Sequence, residues 1–187
     1  MADAHVLVPL KRLDDAKSRL ASVLGADERA TLMLELLQHV LAAVKAADVG
    51  PVTVVSSELL TPNGVPRFDD GGLPWNDALA AATAEVVSSP LVAFVSADLP
   101  SIRAQEVEEL LHATPGRGIA IARAHDGGTN AIAMRPPGLV GTRFGEPGSA
   151  AVHAALGVDH VVIDLPGLAF DVDTPEDLAQ LLQAACR

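Results

Sequence analysis

Asp98 lies just beyond five consecutive apolar residues, Leu91–Val95, and is followed by Leu99-Pro100. A carboxylate there is fixed by a rigid buried strand at the point where the chain leaves the core. Asp171-Val172-Asp173 supplies two more. In an extended segment, alternation puts both aspartates on one side and Val172 on the other. Two carboxylates on one side repel unless a cation stands between them. Mg²⁺ suits such a place, since it takes a few carboxylates together with phosphate oxygens and water. Asp98, Asp171 and Asp173 would then hold one or two ions over a phosphate, neutralise its charge and orient an in-line displacement. Plainer roles compete: Asp98 as the cap of the next helix, and Asp173 or Thr174 as the cap of the last one. The second leaves Asp171 unexplained. Zinc fits poorly, because His5, His39, His112, His125, His153 and His160 show no close ligand pairing and the lone Cys186 is next to last.

A second constellation is basic. Lys11, Arg12, Lys17 and Arg19 fall within nine positions of a chain with only 13 Lys and Arg in all. They follow the first apolar run and open a helical pattern, where backbone N–H groups favour anions. The alternative is an ordinary solvated helix face. The glycines of a Walker A loop are missing. Asp126-Gly-Gly-Thr129-Asn130 is a tight polar turn, either a plain hairpin or a place where backbone approaches a ligand closely. Ser149, after Phe144-Gly145-Glu146-Pro147-Gly148, is either a helix cap or part of an anion site. No Gly-x-Ser-x-Gly elbow is present.

The elements that must position these residues alternate. Strands are expected at His5–Leu10, Pro51–Ser56, Leu91–Val95, Gly118–Ala124, Ala131–Arg135 and His160–Asp164, with a short one at Val65–Phe68 inside a loop over Thr61–Gly72. Helices are expected over Ala16–Leu24, from an Asp27 cap to Ala47, from an Asn76 cap to Val87, over Ala104–His112, from Ala150, and from Thr174-Pro175-Glu176-Asp177 to the end. This alternation implies an α/β fold: a mostly parallel sheet with helices on both faces and ligands at the carboxyl ends of the strands. With 187 residues, no repeat and no linker, one domain over 1–187 is expected. The net charge of −11 and the 3% aromatic content disfavour nucleic acid. No apolar run suits a membrane span or leader, and one cysteine suits a reducing cytoplasm.

Taken in order, Lys11 with AKSRL (16–20), Asn76 opening NDALAAA, ADLP (97–100), GGTNA (127–131), FG (144–145) with Ser149 and His153, and DVDTPEDL (171–178) resemble the guanylyltransferases of deazaflavin coenzyme (F-420) biosynthesis. That family is related to the molybdenum-cofactor guanylyltransferases. The resemblance spans nearly the whole chain and implies a three-layer Rossmann-like nucleotidyltransferase fold. It implies that a phosphorylated three-carbon acid, phosphoenolpyruvate or 2-phospho-L-lactate, attacks GTP and releases pyrophosphate, with the product passed to the next enzyme of the pathway. Asp98, Asp171 and Asp173 resemble its Mg²⁺ ligands, and Lys17 joins them as catalytic. Lys11, Lys17, Arg19 and Asn76 resemble its nucleotide contacts. Thr129, Gly145 and Ser149 resemble the groups that hold the acceptor carboxylate.

Two departures stand out. The spacer between Gly145 and Ser149 is one residue longer than the family pattern, which brings Gly148 into question as the contact instead. Pro74-Trp75 also replaces a smaller lead-in to Asn76. Competing readings are a molybdenum-cofactor guanylyltransferase, whose glycine-rich first loop is absent from Pro9-Leu10-Lys11-Arg12, a glycosyltransferase using Asp171-Val172-Asp173, and a non-catalytic nucleotide-binding domain. The alanine- and arginine-rich composition looks bacterial, and the resemblance implies phosphoenolpyruvate as the acceptor of bacterial members.

Overall fold

Every residue of strand β1 (Ala4–Pro9) except His5 is buried, as a central strand covered on both faces requires. The computed structural model describes residues 3–59 and 64–185; Cys186 and the front of the loop expected over Thr61–Gly72 lie outside them. β1 pairs in parallel with β2 (Val52–Val55) and β4 (Leu91–Val95). β3 (Arg67–Phe68), β5 (Gly118–Arg123), β6 (Thr129–Arg135) and β7 (His160–Ile163) complete a seven-stranded sheet in the order β3-β2-β1-β4-β6-β5-β7. Only β6 runs against its neighbours, because a short turn joins it to β5 as a hairpin. The sheet is therefore mostly parallel, as expected.

Alternation along the strands builds two cores. Val6, Val8, Ala93 and Ala133 face α1 (Ala26–Ala46) and α3 (Ala104–Ala113). Leu7, Phe94, Ile121 and Ile132 face α2 (Trp75–Glu85) and α4 (Ser149–Ala154). In α1, Leu37, Val40 and Leu41 are fully buried at helical spacing. Burial of each such side chain contributes about 1.5–3 kcal/mol. Two further helices, α5 (Pro166–Ala169) and α6 (Pro175–Ala185), follow β7. No helix among the described residues is long and apolar enough to cross a membrane.

Three local expectations are corrected and one unexpected element is added. Ala16–Leu24 is not a continuous helix but short 3-10 turns at Leu13–Asp15 and Ser18–Leu20, with Lys17 between them in the left-handed region at φ 51°. The break lets Leu20 enter a small core with Leu36 and Val172 while Lys17 points to the carboxylates. Helix α1 is capped by Gly25, whose N–H donates to Glu28 Oε2 at 2.7 Å, rather than by Asp27. Asn76 lies inside α2, not at its cap, which is Pro74. Helix α5 has no periodicity to announce it, being a single turn started by Pro166.

That turn is held by a buried carboxylate. Glu106 Oε1 accepts the Gly167 N–H at 2.6 Å, while Oε2 caps α3 by accepting the Arg103 N–H at 3.0 Å. A Cβ on Gly167 would collide with this carboxylate and with the Ser101 carbonyl. The same short stretch leads directly into Asp171. Gly167→Ala is expected to lower unfolding free energy by about 2–3 kcal/mol in urea titration. A loss below about 0.5 kcal/mol would show that the turn shifts freely.

Candidate active site

The carboxyl ends of β1 and β4 and the start of β6 meet at one edge of the sheet. β6 contributes its first residues there because it runs antiparallel: Val95 pairs with Ala131, and the Ser96 N–H donates to the Asn130 carbonyl at 2.8 Å. The cavity at this edge has a volume of about 600 Å³. Lys11, Lys17, Arg19, Asp98, Asp171 and Asp173 line one part of it, and Thr129, Gly145, Gly148 and Ser149 another.

Oxygens of Asp98, Asp171 and Asp173 lie within 4.8 Å of one another. Neither Asp98 nor Asp173 is spent as a helix cap. Arg103 starts α3, and at α6 the Thr174 and Asp177 side chains bond each other's backbone N–H groups, with Asp177 Oδ2 also accepting the Asp173 N–H. The spare carboxylates meet the Lys17 ammonium, which donates to Asp98 Oδ2 and, at 2.8 Å, to Asp173 Oδ1. Burial disfavours the charge on Lys17, but the two carboxylates outweigh it and hold its pKa above the ordinary value. Arg19 approaches Asp173 at 3.5 Å from the solvent side. Asp171 has the weaker partners, the Asn130 amide at 3.1 Å and His125 Nδ1 at 3.6 Å. Burial, then the repulsion of Asp98, push its pKa up to about 6, against the Asn130 hydrogen bond.

The donor set fits a hard divalent cation: oxygen ligands only, held close, with an ammonium already attracted to the same negative charge. Lys11 lies 5.2 Å above the Trp75 ring, which also borders the cavity. Arg12 pairs with Asp14 at the surface.

At the other part, Ser149 Oγ donates to Thr129 Oγ1 at 3.1 Å, and both residues are buried. Strict alternation would send Thr129 to the side of Ala131 and Ala133. The register shifts between Ala122 and Arg123, so that Arg123 pairs with Thr129 and Asn130 is the extra residue. This bulge turns Thr129 toward α4 and Asn130 toward Asp171, so adjacent residues serve the two parts of the cavity. Gly145 and Gly148 both have positive φ, at 81° and 64°, and both border the cavity. The added residue in the spacer is absorbed in this turn, which gives the wall two glycines.

Asn76 is placed differently from expectation. Its Oδ1 accepts from Thr142 Oγ1 and the Phe144 N–H, and its Nδ2 donates to the Phe144 carbonyl. With both ends of the amide used, it clamps the loop that carries Gly145. Asn130, part of the polar turn seen in the sequence, reaches Asp171, and His125 beside it is a site-related residue that patterning alone does not single out.

A folded-state pKa near 6 for Asp171 sits above the ordinary carboxylate value of about 3.9. In the metal-free protein this side chain therefore favours folding below about pH 4 and loses that contribution as pH rises through 6. Asp171→Asn is expected to stabilise the metal-free protein at pH 7.5 by on the order of 2 kcal/mol, with the gain gone at pH 4. Thermal melts at the two pH values test it; an equal change at both would remove the raised pKa, and with it the cost of a buried charge beside Asp98, as the cause.

The family model described as guanylyl transferase CofC like matches residues 4–184. The chain is 43% identical over 188 residues to the phosphoenolpyruvate guanylyltransferase of Sphaerobacter thermophilus, covering 94% of this chain and 90% of that one. It is 38% identical to the protein of the same name from Rubrobacter xylanophilus, covering 94% and 91%. A solved nucleotidyl transferase from Methanothermobacter shares the fold, with a TM-score of 0.67 at 14% identity over 98% of this chain and 100% of that one. The order of motifs along the chain and the match over nearly its full length agree: the chain belongs to the CofC-like guanylyl transferases.

Proposed function

We propose that this chain acts as one domain over residues 1–187 and transfers GMP from GTP to the phosphate of phosphoenolpyruvate, releasing pyrophosphate. An oxygen of the acceptor phosphate bonds to the α-phosphorus as the bond to the pyrophosphate oxygen breaks. The observation that carries the reading is the two-part cavity: a carboxylate and lysine cluster beside a pair of buried hydroxyls. The names of the relatives favour phosphoenolpyruvate over 2-phospho-L-lactate.

Asp98, Asp171 and Asp173 would hold Mg²⁺, which supplies charge neutralisation and alignment of the phosphates when bound. Lys17 and Arg19 offset the triphosphate, with Lys11 above Trp75 on the same side. Thr129 and Ser149, with Gly145 and Gly148 in the facing turn, hold the acceptor carboxylate. Asn76 acts through the loop it clamps rather than by touching the nucleotide. The nucleophile is already an anion, so no strong general base is needed; alignment and charge compensation supply the rate. A reducing cytoplasm suits the reaction, and the guanylylated acid would be handed to the next enzyme of the deazaflavin coenzyme pathway.

Pyrophosphate release from GTP or ATP, crossed with phosphoenolpyruvate or 2-phospho-L-lactate and with or without Mg²⁺, tests the reading. Release is expected to be fastest with GTP, phosphoenolpyruvate and Mg²⁺. Asp98→Ala is expected to lower it by a factor on the order of 100 or more while the protein stays folded. No release from folded protein with any pairing would overturn the proposal.

A further inference from the structure

His153 is fully buried, yet neither of its ring nitrogens is idle. Nε2 lies 2.8 Å from the Arg143 backbone nitrogen, and Nδ1 lies 3.0 Å from Thr129 Oγ1. A backbone N–H can only donate, so Nε2 must be the bare, accepting nitrogen. In the neutral ring the proton is then on Nδ1. Burial lowers the pKa of the ring, with the backbone hydrogen bond with Ser149 opposing it, the direction that an accepting Nε2 requires.

The consequence reaches the cavity. A protonated Nδ1 cannot take the Thr129 hydroxyl proton. Thr129 and Ser149 share one hydrogen bond between their hydroxyls, which uses one of their two O–H protons. The other has no acceptor on the imidazole and is free to turn to an oxygen in the cavity, which Thr129 and Ser149 both line. Were the ring in its other tautomer, Nδ1 would absorb that proton and the hydroxyl pair would offer lone pairs instead. We propose that His153 is a positioning residue. Its tautomer, dictated by the Arg143 backbone, polarises the Thr129–Ser149 pair into a net donor and so makes this end of the cavity selective for an anionic oxygen of the acceptor.

The inference rests on the acceptor assignment made above, but part of its test does not. Asn and Gln at position 153 separate the two ring nitrogens, because the Asn amide overlies Nδ1 and the Gln amide overlies Nε2. His153→Gln keeps an acceptor for Arg143 but loses the donor to Thr129. Its KM for phosphoenolpyruvate is expected to rise about tenfold, the worth of one charge-assisted hydrogen bond, with KM for GTP within about twofold of the parent. His153→Asn keeps the donor and is expected to stay within about threefold for both substrates. An unchanged acceptor KM in folded His153→Gln, or equal damage in the two variants, would overturn the proposal. Nitrogen-15 correlation spectra of the unmodified protein are expected to show His153 protonated at Nδ1 and bare at Nε2 from pH 7 to 8. The opposite tautomer, or a charged ring in that range, would overturn it even if the protein transferred no nucleotide. A correct tautomer in a protein inactive with every acceptor would instead count against the function alone.

Discussion

Mutual repulsion among Asp98, Asp171 and Asp173 is the constraint around which this molecule is arranged. Oxygens within 4.8 Å of one another at a sheet edge are tolerated only with positive charge between them and rigid supports behind them. Each carboxylate has its own support. Asp98 follows the fully buried strand β4, Asp171 is tied to Asn130, and Asp173 has its backbone fixed by Asp177 at the start of α6. Lys17 supplies the charge, at the cost of a left-handed backbone and a broken helix. Asp171, which takes neither of that ammonium's two hydrogen bonds, has a pKa raised by burial first and then by the repulsion of Asp98. A site already poised to lose its repulsion to an incoming cation has little reorganisation left to do on binding.

The net charge of −11 would seem hostile to a triphosphate and a phosphorylated acid. The cavity resolves this by dividing the work. One side carries lysine, arginine and three carboxylates that could hold a divalent cation, while the other carries hydroxyls and glycine-lined backbone without a formal charge. Neutral donors recognise a carboxylate by direction rather than attraction, so their orientation must be enforced. A buried imidazole of fixed tautomer does that without adding charge.

Much of this was legible in the sequence, where local signals are strong. LVAFV followed by Asp98 and DVDTPEDL are each a buried strand or cap with a carboxylate placed by simple geometry, and both behave as read. The alternation that turns Val172 inward is visible from three residues. What escaped depends on tertiary partners. Nothing local marks the bulge at Asn130, because it is a property of pairing with Arg123. The Ala16–Leu24 pattern favours helix, but Lys17 is claimed by carboxylates 81 and 156 positions away, and their pull outweighs one turn of helix. Asn76 looked like a cap because it precedes a helical run; its true partners lie 66 and 68 residues on.

What these roles share is a physical cause. Half-buried Asn76 and buried Glu106 and His153 add little to a hydrophobic core, yet each fixes backbone on another segment: Phe144, Gly167 and Arg143 respectively. Loops carry the site, and loops have no ladder of their own to hold them. A buried amide, carboxylate or imidazole meets that need because leaving its partner unsatisfied costs more than the bond itself gains. The side chains that touch a ligand can therefore be sparse, and positional accuracy comes from residues that never reach it. Asn76 and Glu106 act on substrate handling through geometry alone, whereas the aspartates act on it through charge.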